Sequence, residues 1–217
     1  MAAVVVAAAL GLGFAACGSD AGSAGSSDTE AARTDTSPAP IGGASALPDA
    51  DLASIVHMRE EEKLARDVYI ALGDQWELAI FDNIANAEVQ HMDAVATLLD
   101  RYDIADPAGA TAPGEFTDPD LQVLYDELIE QGSTSLIDAL TVGATIEDLD
   151  IADLRSSVTS ATDVQAVWDS LERGSRNHLR AFTAQLEQRG ESYLPQYISQ
   201  ADYDEILASG TETGRTS

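Results

Sequence analysis

The sequence predicts an all-α fold: a four-helix bundle with one long crossover that carries a short helix, followed by a short C-terminal helix. Three observations lead there. Hydrophobic residues make up 45% of the chain and aromatic ones only 6%, and the abundance of Ala, Leu, Asp and Glu suits helices better than sheets. Long segments carry apolar residues at spacings of three and four, the period of one helix face. No stretch alternates apolar and polar residues as a half-buried strand does.

The 217 residues suit one domain plus appendages. Residues 2–16 form an apolar run too short and too rich in Ala and Gly for a good membrane span. The run ends in Phe14-Ala15-Ala16-Cys17-Gly18, which resembles a bacterial lipobox with Cys17 as the lipidated residue. The basic segment that usually opens such a leader is missing, as it would be if the natural start lay upstream. The expectation is a lipoprotein-type signal peptide over residues 1–17. The protein would then be exported and anchored by lipid on Cys17 to the outer side of the cytoplasmic membrane. The alternative is an ordinary cleaved signal peptide and a secreted protein. A single cysteine excludes an internal disulfide and a Cys-based zinc site.

Residues 18–47 are Gly, Ser, Ala, Thr, Asp and Pro with almost no large apolar side chain. They cannot bury enough surface to offset their ordering entropy and read as a disordered tether. Residues 48–208 form the folded domain, and 209–217 a short disordered tail.

The first long helix starts near Pro48 and runs to about Leu72, where Gly73 can stop it. Its stripe is Ile55, Met58, Glu62, Ala65, Tyr69, Leu72. Glu62 interrupts it at the centre, while Glu60 and Glu61 fall further round, toward a solvated face. His57, four residues before Glu61, reads as surface. A short turn leads to the second helix, roughly 78–102, with the stripe Phe81, Ile84, Glu88, His91, Val95, Leu98, Tyr102. Glu88 and His91 form an E-x-x-H pair, which shares one helix face. Burying a charged carboxylate without a partner costs several kcal/mol, so either a cation or an arginine must compensate. Arg66, Arg173, Arg176 and Arg180 are available.

Pro107, Gly109, Pro113 and Gly114 mark a loop over 103–118, and an amphipathic helix from Leu121 to Gln131 follows. Ser133 is the expected N-cap of the third long helix, which runs to about Val158. Its stripe is Leu136, Leu140, Gly143, Glu147, Ile151 (beside Asp150), Leu154, Val158. The fourth follows a turn at 159–162 and runs to about Arg189. Its stripe is Val164, Val167, Leu171, Ser175, His178, Phe182, Gln185. Ser199 to Asp202 reads as a capping box opening a last helix over 200–208.

The polar residues fall at matching heights. Glu62 and Glu88 each lie about 13 residues from the middle of the first turn, roughly 20 Å at ~1.5 Å per residue. Glu147 and His178 agree across the second turn to within about one turn of helix. Short turn, long crossover, short turn is the order of ferritin-like bundles.

At these residues the chain resembles the ferritin-like superfamily, and rubrerythrin-type sequences within it. Glu62, Ala65, Arg66 and Tyr69 match an E-x-x-A-R-x-x-Y run, and Glu88 to His91 the E-x-x-H helix. More closely, roughly 50–207 is similar to a prokaryotic family of ferritin-like domains with no assigned function. Four ordered blocks carry that likeness: Glu61 to Tyr69, Gly143 to Leu154, Arg173 to Phe182 and Tyr193 to Tyr197. The superfamily implies a two-metal carboxylate site. Glu62 would be a terminal ligand, Glu88 a bridging one, His91 terminal, Glu147 the third-helix carboxylate and His178 the fourth-helix imidazole. The chain departs at Ser175, where the pattern has a glutamate. Asp150, one turn from Glu147, is the candidate for the missing oxygen.

Such ligands suit Fe, Mn or Zn. A di-iron site would imply ferroxidase chemistry or reduction of O₂ or peroxide. Tyr69, on the face of Glu62, would donate a hydrogen bond to a ligand carboxylate, act as a radical relay, or be an aromatic core residue. The rival reading is a non-catalytic metal- or partner-binding module of the cell envelope with a degenerate site. Iron storage would need a cage, which nothing in the sequence predicts. The net charge of −27 argues against nucleic acid, whose phosphates need Lys and Arg. It is compatible with cation binding and equally with a solvated acidic surface. The oligomeric state is open, a dimer included.

Overall fold

The structure, a computed structural model, describes residues 47–214. The expected signal peptide with Cys17, the tether up to residue 46, and residues 215–217 lie outside the described residues. The described chain is all-helical: α1 (Asp49–Trp76), α2 (Ala79–Arg101), α3 (Pro119–Gly132), α4 (Leu136–Ser156), α5 (Thr162–Glu187) and α6 (Gln200–Ala208). It contains no strand. No helix among the described residues is long and apolar enough to cross a membrane.

Short turns make α1 and α2, and likewise α4 and α5, packed partners, and the two pairs meet through α1 with α4 and α2 with α5. Two element boundaries differ from the sequence expectation. Helix α1 continues past Gly73, because Trp76 donates to Gly132 O at 2.9 Å and Gln75 to Ser133 O at 3.0 Å. These bonds tie its last turn to the end of α3. Gly73 instead permits close approach of α2, since a Cβ there would lie 3.2 Å from Phe81 Cβ. The cap of α4 is Ser135, which accepts from Asp138 N, whereas Ser133 closes α3. Sequence spacing alone does not separate two serines that are two residues apart.

The interior has layers. At one end Ile55, Met58, Val95, Leu98, Leu154, Trp168 and Leu171 form an apolar cluster drawn from all four long helices. Further along, the rings of Tyr69, Phe81 and Phe182 pack at 5.3–6.5 Å. The polar stripe positions lie between these layers, and the apolar packing on either side buries their carboxylates while His91 and His178 keep an exposed edge.

The segment after α6 is held where the sequence suggested an unstructured tail. Glu212 accepts two hydrogen bonds from Arg176, at 2.8 and 2.6 Å, and a third from Arg180 at 2.8 Å. Ion pairing, which leaves no apolar signature in the sequence, is the reason.

Candidate metal centre

The side chains expected at the site come from all four long helices and meet in two groups. Glu62 on α1 joins Glu88 and His91 on α2. Glu88 also joins Glu147 on α4 and His178 on α5, and within each group the ligand atoms lie within 4.8 Å of one another. Glu88 is therefore shared. His91 Nδ1 stands 2.7 Å from Glu88 Oε2 and 3.2 Å from Glu62 Oε2. His178 Nδ1 stands 2.9 Å from Glu88 Oε1 and 3.5 Å from Glu147 Oε1. Each oxygen of Glu88 thus faces a different imidazole.

The donors are buried and incompletely bonded. Glu62, Glu88, Glu147 and Asp150 are all buried. One oxygen each of Glu62, Glu88 and Glu147, both oxygens of Asp150, and His178 Nδ1 have no hydrogen-bond partner. The close approach of His178 Nδ1 to Glu88 Oε1 is not aligned as a hydrogen bond, so the two atoms leave lone pairs or protons free for a third party. Nor does any guanidinium or ammonium compensate. Among the described residues Arg66 and Lys63 pair with Asp67, Arg176 with Glu172 and Glu212, and Arg180 with Glu212.

Three other buried carboxylates in the same protein are fully served. Asp148 accepts from Tyr193 Oη, Gln196 N, Tyr197 N and Ile198 N at 2.6–3.1 Å. Glu60 accepts from Thr117 N, Thr117 Oγ1 and Asp118 N at 2.6–3.2 Å. Asp67 takes Lys63 Nζ and Gly114 N. These three hold loops to helices. A buried polar group is normally satisfied in this way, so the site carboxylates stand apart in chemistry, not in burial.

Electrostatics follows from the geometry. Burial raises Glu62 to about 7, although His91 draws it down. Burial acts on Glu88 too, but His178 and His91 outweigh it and hold that carboxyl well below the usual range. Burial opposes charge on the imidazoles, yet the adjacent carboxylates lift His91 to about 11 and His178 to about 10. Burial also raises Glu147 and Asp150, and Glu61 and Glu62 push Asp150 further. Protons therefore sit on the same lone pairs a metal would use, and metal uptake would release them.

The residues expected to complete the site behave differently from one another. Tyr69 donates to Glu147 Oε1 at 2.6 Å; burial raises its pKa well above the usual phenol value, so it stays a neutral donor. Ser175 turns its hydroxyl back to Leu171 O at 3.1 Å and offers nothing to the site. Asp150 is buried on α4 but belongs to neither group of close ligand atoms.

The domain described as an uncharacterized protein domain, DUF2202, matches residues 51–210, which include every one of these side chains. The chain belongs to the DUF2202 family. It is similar over 162 residues, at 52% identity, to Uncharacterized protein MJ0754 of Methanocaldococcus jannaschii, covering 74% of this chain and 88% of the relative. The crystal structure of hypothetical protein MJ0754 from Methanococcus jannaschii DSM 2661 superposes with a TM-score of 0.75 at 48% identity. That match covers 81% of this chain and 100% of the other.

Within this DUF2202 domain the sequence reading misplaced Glu60 and Glu61. Both are buried, not solvated. Successive residues turn by about 100° around a helix, so three glutamates in a row stay buried only if the helix is covered on more than one side. The crossover supplies that cover through Thr117 and Asp118. Gly174 was also overlooked: a Cβ there would lie 2.4 Å from His91 Cε1 and Nε2, so its bare backbone makes room for the imidazole. Its place beside Ser175, at the level of the site, was the available signal.

Proposed function

We propose that this domain is a ferritin-like four-helix bundle that binds a pair of divalent metal ions, iron or manganese, in the carboxylate/histidine site. The observation that carries the reading is the shared Glu88, one oxygen toward each imidazole, inside a set of buried carboxylates that no arginine or lysine among the described residues neutralises. Helix bundles with two-metal centres use an E-x-x-H pair and carboxylates from facing helices. The paired helices and the crossover bearing α3 are in keeping with that architecture.

The donor set fits the ions. Glu62, Glu88 and Glu147 supply three carboxylates and His91 and His178 two imidazoles, a donor set suited to divalent ions when the imidazoles bind neutral. Glu62 and His91 would hold one ion and Glu147 and His178 the other, with Glu88 between them. Tyr69 fixes the rotamer of Glu147 through its hydrogen bond. A bound iron pair would supply oxidation of Fe(II) coupled to reduction of O₂ or peroxide. The chain's part is to exclude water, fix the spacing of the two ions and accept or release protons at the imidazoles. Zinc would give a structural or hydrolytic site instead.

A second reading is favoured by Ser175, whose hydroxyl leaves one ligand position unfilled: a non-catalytic metal-binding module of the cell envelope. In either reading export and a lipid anchor at Cys17 are part of the proposal. Cys17→Ser should move the protein out of the membrane fraction, and continued retention refutes the anchor.

The test is anaerobic Fe(II) and Mn(II) titration of the unaltered chain and of Glu88→Ala/His91→Ala. The double variant should lose the ions bound at this site, and unchanged stoichiometry refutes the site. Fe(II)-dependent O₂ consumption by the loaded protein then favours the redox reading, and its absence the module.

A further inference from the structure

A second cluster stands beside the first and is used by nothing described so far. On α1, His57 lies one turn before Glu61, and on α4 Asp153 lies one turn beyond Asp150. The ligand atoms of His57, Glu61 and Asp153 lie within 4.8 Å of one another. His57 Nε2 is 3.7 Å from Glu61 Oε2 and 3.9 Å from Asp153 Oδ2, and its Nδ1 is 4.0 Å from Asp118 Oδ2. All of these are longer than hydrogen bonds. The sequence reading left His57 on the surface; the fold half-buries it against two carboxylates.

An acidic cluster alone would say little, but Glu61 is 1% exposed and neither of its oxygens has a hydrogen-bond partner. Asp153 Oδ2 is likewise buried and unbonded. No arginine or lysine among the described residues pairs with either. Glu60, the neighbour of Glu61, is satisfied three times over, so the protein could have bonded Glu61 and has not. We propose that His57, Glu61 and Asp153 form a further divalent-cation site, open to solvent, that passes ions to the buried centre through Asp150.

The placement supports transfer. Glu147, Asp150 and Asp153 follow one another at three-residue steps on α4, so the ends of the row are roughly 9 Å apart at ~1.5 Å per residue. On α1, Glu61 and Glu62 are adjacent and face the two ends. The side chains of His57 and Asp153 are 29% and 28% exposed, against 2% for Glu61, so the cluster grades from solvent to interior. Asp150, with both oxygens unbonded, occupies the middle. A dehydrating cation would meet a carboxylate at each step. One imidazole with oxygen donors suits Mn(II), Fe(II) or Zn(II) more than a hard alkaline-earth ion.

The transfer role rests on the proposed two-metal site; the cation site itself does not. Mn(II) bound per chain is counted by equilibrium dialysis on the full chain, on His57→Ala/Asp153→Asn, and on Glu61→Gln, an isostere that guards against a folding artefact. Each variant should bind one Mn(II) fewer than the unaltered chain, and Glu88→Ala/His91→Ala should retain that ion. Unchanged binding in both His57→Ala/Asp153→Asn and Glu61→Gln overturns the site. If Glu88→Ala/His91→Ala binds as much as the unaltered chain, the two-metal reading fails while the outer site stands. Stopped-flow loading of the inner centre should slow at least tenfold in Asp150→Asn, and an unchanged rate overturns the transfer.

Discussion

The imidazoles of His91 and His178 stand 5.5 Å apart, ring centroid to centroid, with an interplanar angle of 29°, and each turns its Nδ1 to one oxygen of Glu88. Two helices that meet through few other residues are thereby joined at a single carboxylate. The carboxylates around this contact are buried and each keeps at least one oxygen without a hydrogen-bond partner.

Divalent cations should stabilise the protein by mass action. At a free Mn(II) concentration of about a hundred times Kd, binding to the folded state alone adds ~2.7 kcal/mol per site. Thermal unfolding with and without Mn(II), reversed by a chelator, measures this. No shift of the midpoint at saturating Mn(II) contradicts the site.

Asp150→Asn should raise the stability of metal-free protein at neutral pH, because the amide needs no proton to be buried there, while weakening metal binding. The direction follows from two oxygens without partners and from burial and like charges that oppose ionisation. Chemical denaturation at neutral pH with chelator present decides it; a loss of stability would mean that Asp150 is held by an interaction of structural value.

Gly174→Ala should reduce metal affinity by roughly 10- to 100-fold, the usual effect of disturbing a ligand's orientation. The added methyl meets the edge of His91 at 2.4 Å, so the ring must move. Ala is the better helix former, which separates this loss from simple unfolding. Isothermal titration with Mn(II) is the measurement, and wild-type affinity would show that His91 is not a ligand.

Asp148→Ala should cost about 3 kcal/mol or more, since it strands three backbone N–H groups and a tyrosine hydroxyl that now share one buried carboxylate. The loss should appear as faster hydrogen exchange at residues 196–198 before global unfolding. Metal binding should change little, and a large effect there would mean that Asp148 supports the site.

Acid should release the segment around Glu212. The guanidinium of Arg176, then that of Arg180, depresses this carboxyl to about 2 from an ordinary 4.5. A depressed pKa contributes stability that is fully present above pH 4.5 and lost as pH falls through about 2. The protection factors of residues 209–214, exchange rates divided into the intrinsic rate at each pH, should therefore fall on acidification from pH 5 toward pH 2, and Glu212→Gln should remove most of that dependence.

Apolar spacing determined the helices and the two tight turns, and the turns brought Glu62 level with Glu88 and Glu147 level with His178. Periodicity marks a residue on a stripe because burial repeats with the helix. It carries no information about what lies on the other side of that stripe. Only the folded chain separates Glu60, which clasps the crossover, from Glu61, which faces His57 and Asp153, and from Glu62, which faces His91. Consecutive residues of one type differ solely by direction, and direction acquires meaning when other elements arrive. The same holds for Asp148 and Asp150, two buried carboxylates on one helix. The first meets a loop of amide donors and the second meets other acids, because the chain returns past only one side of α4.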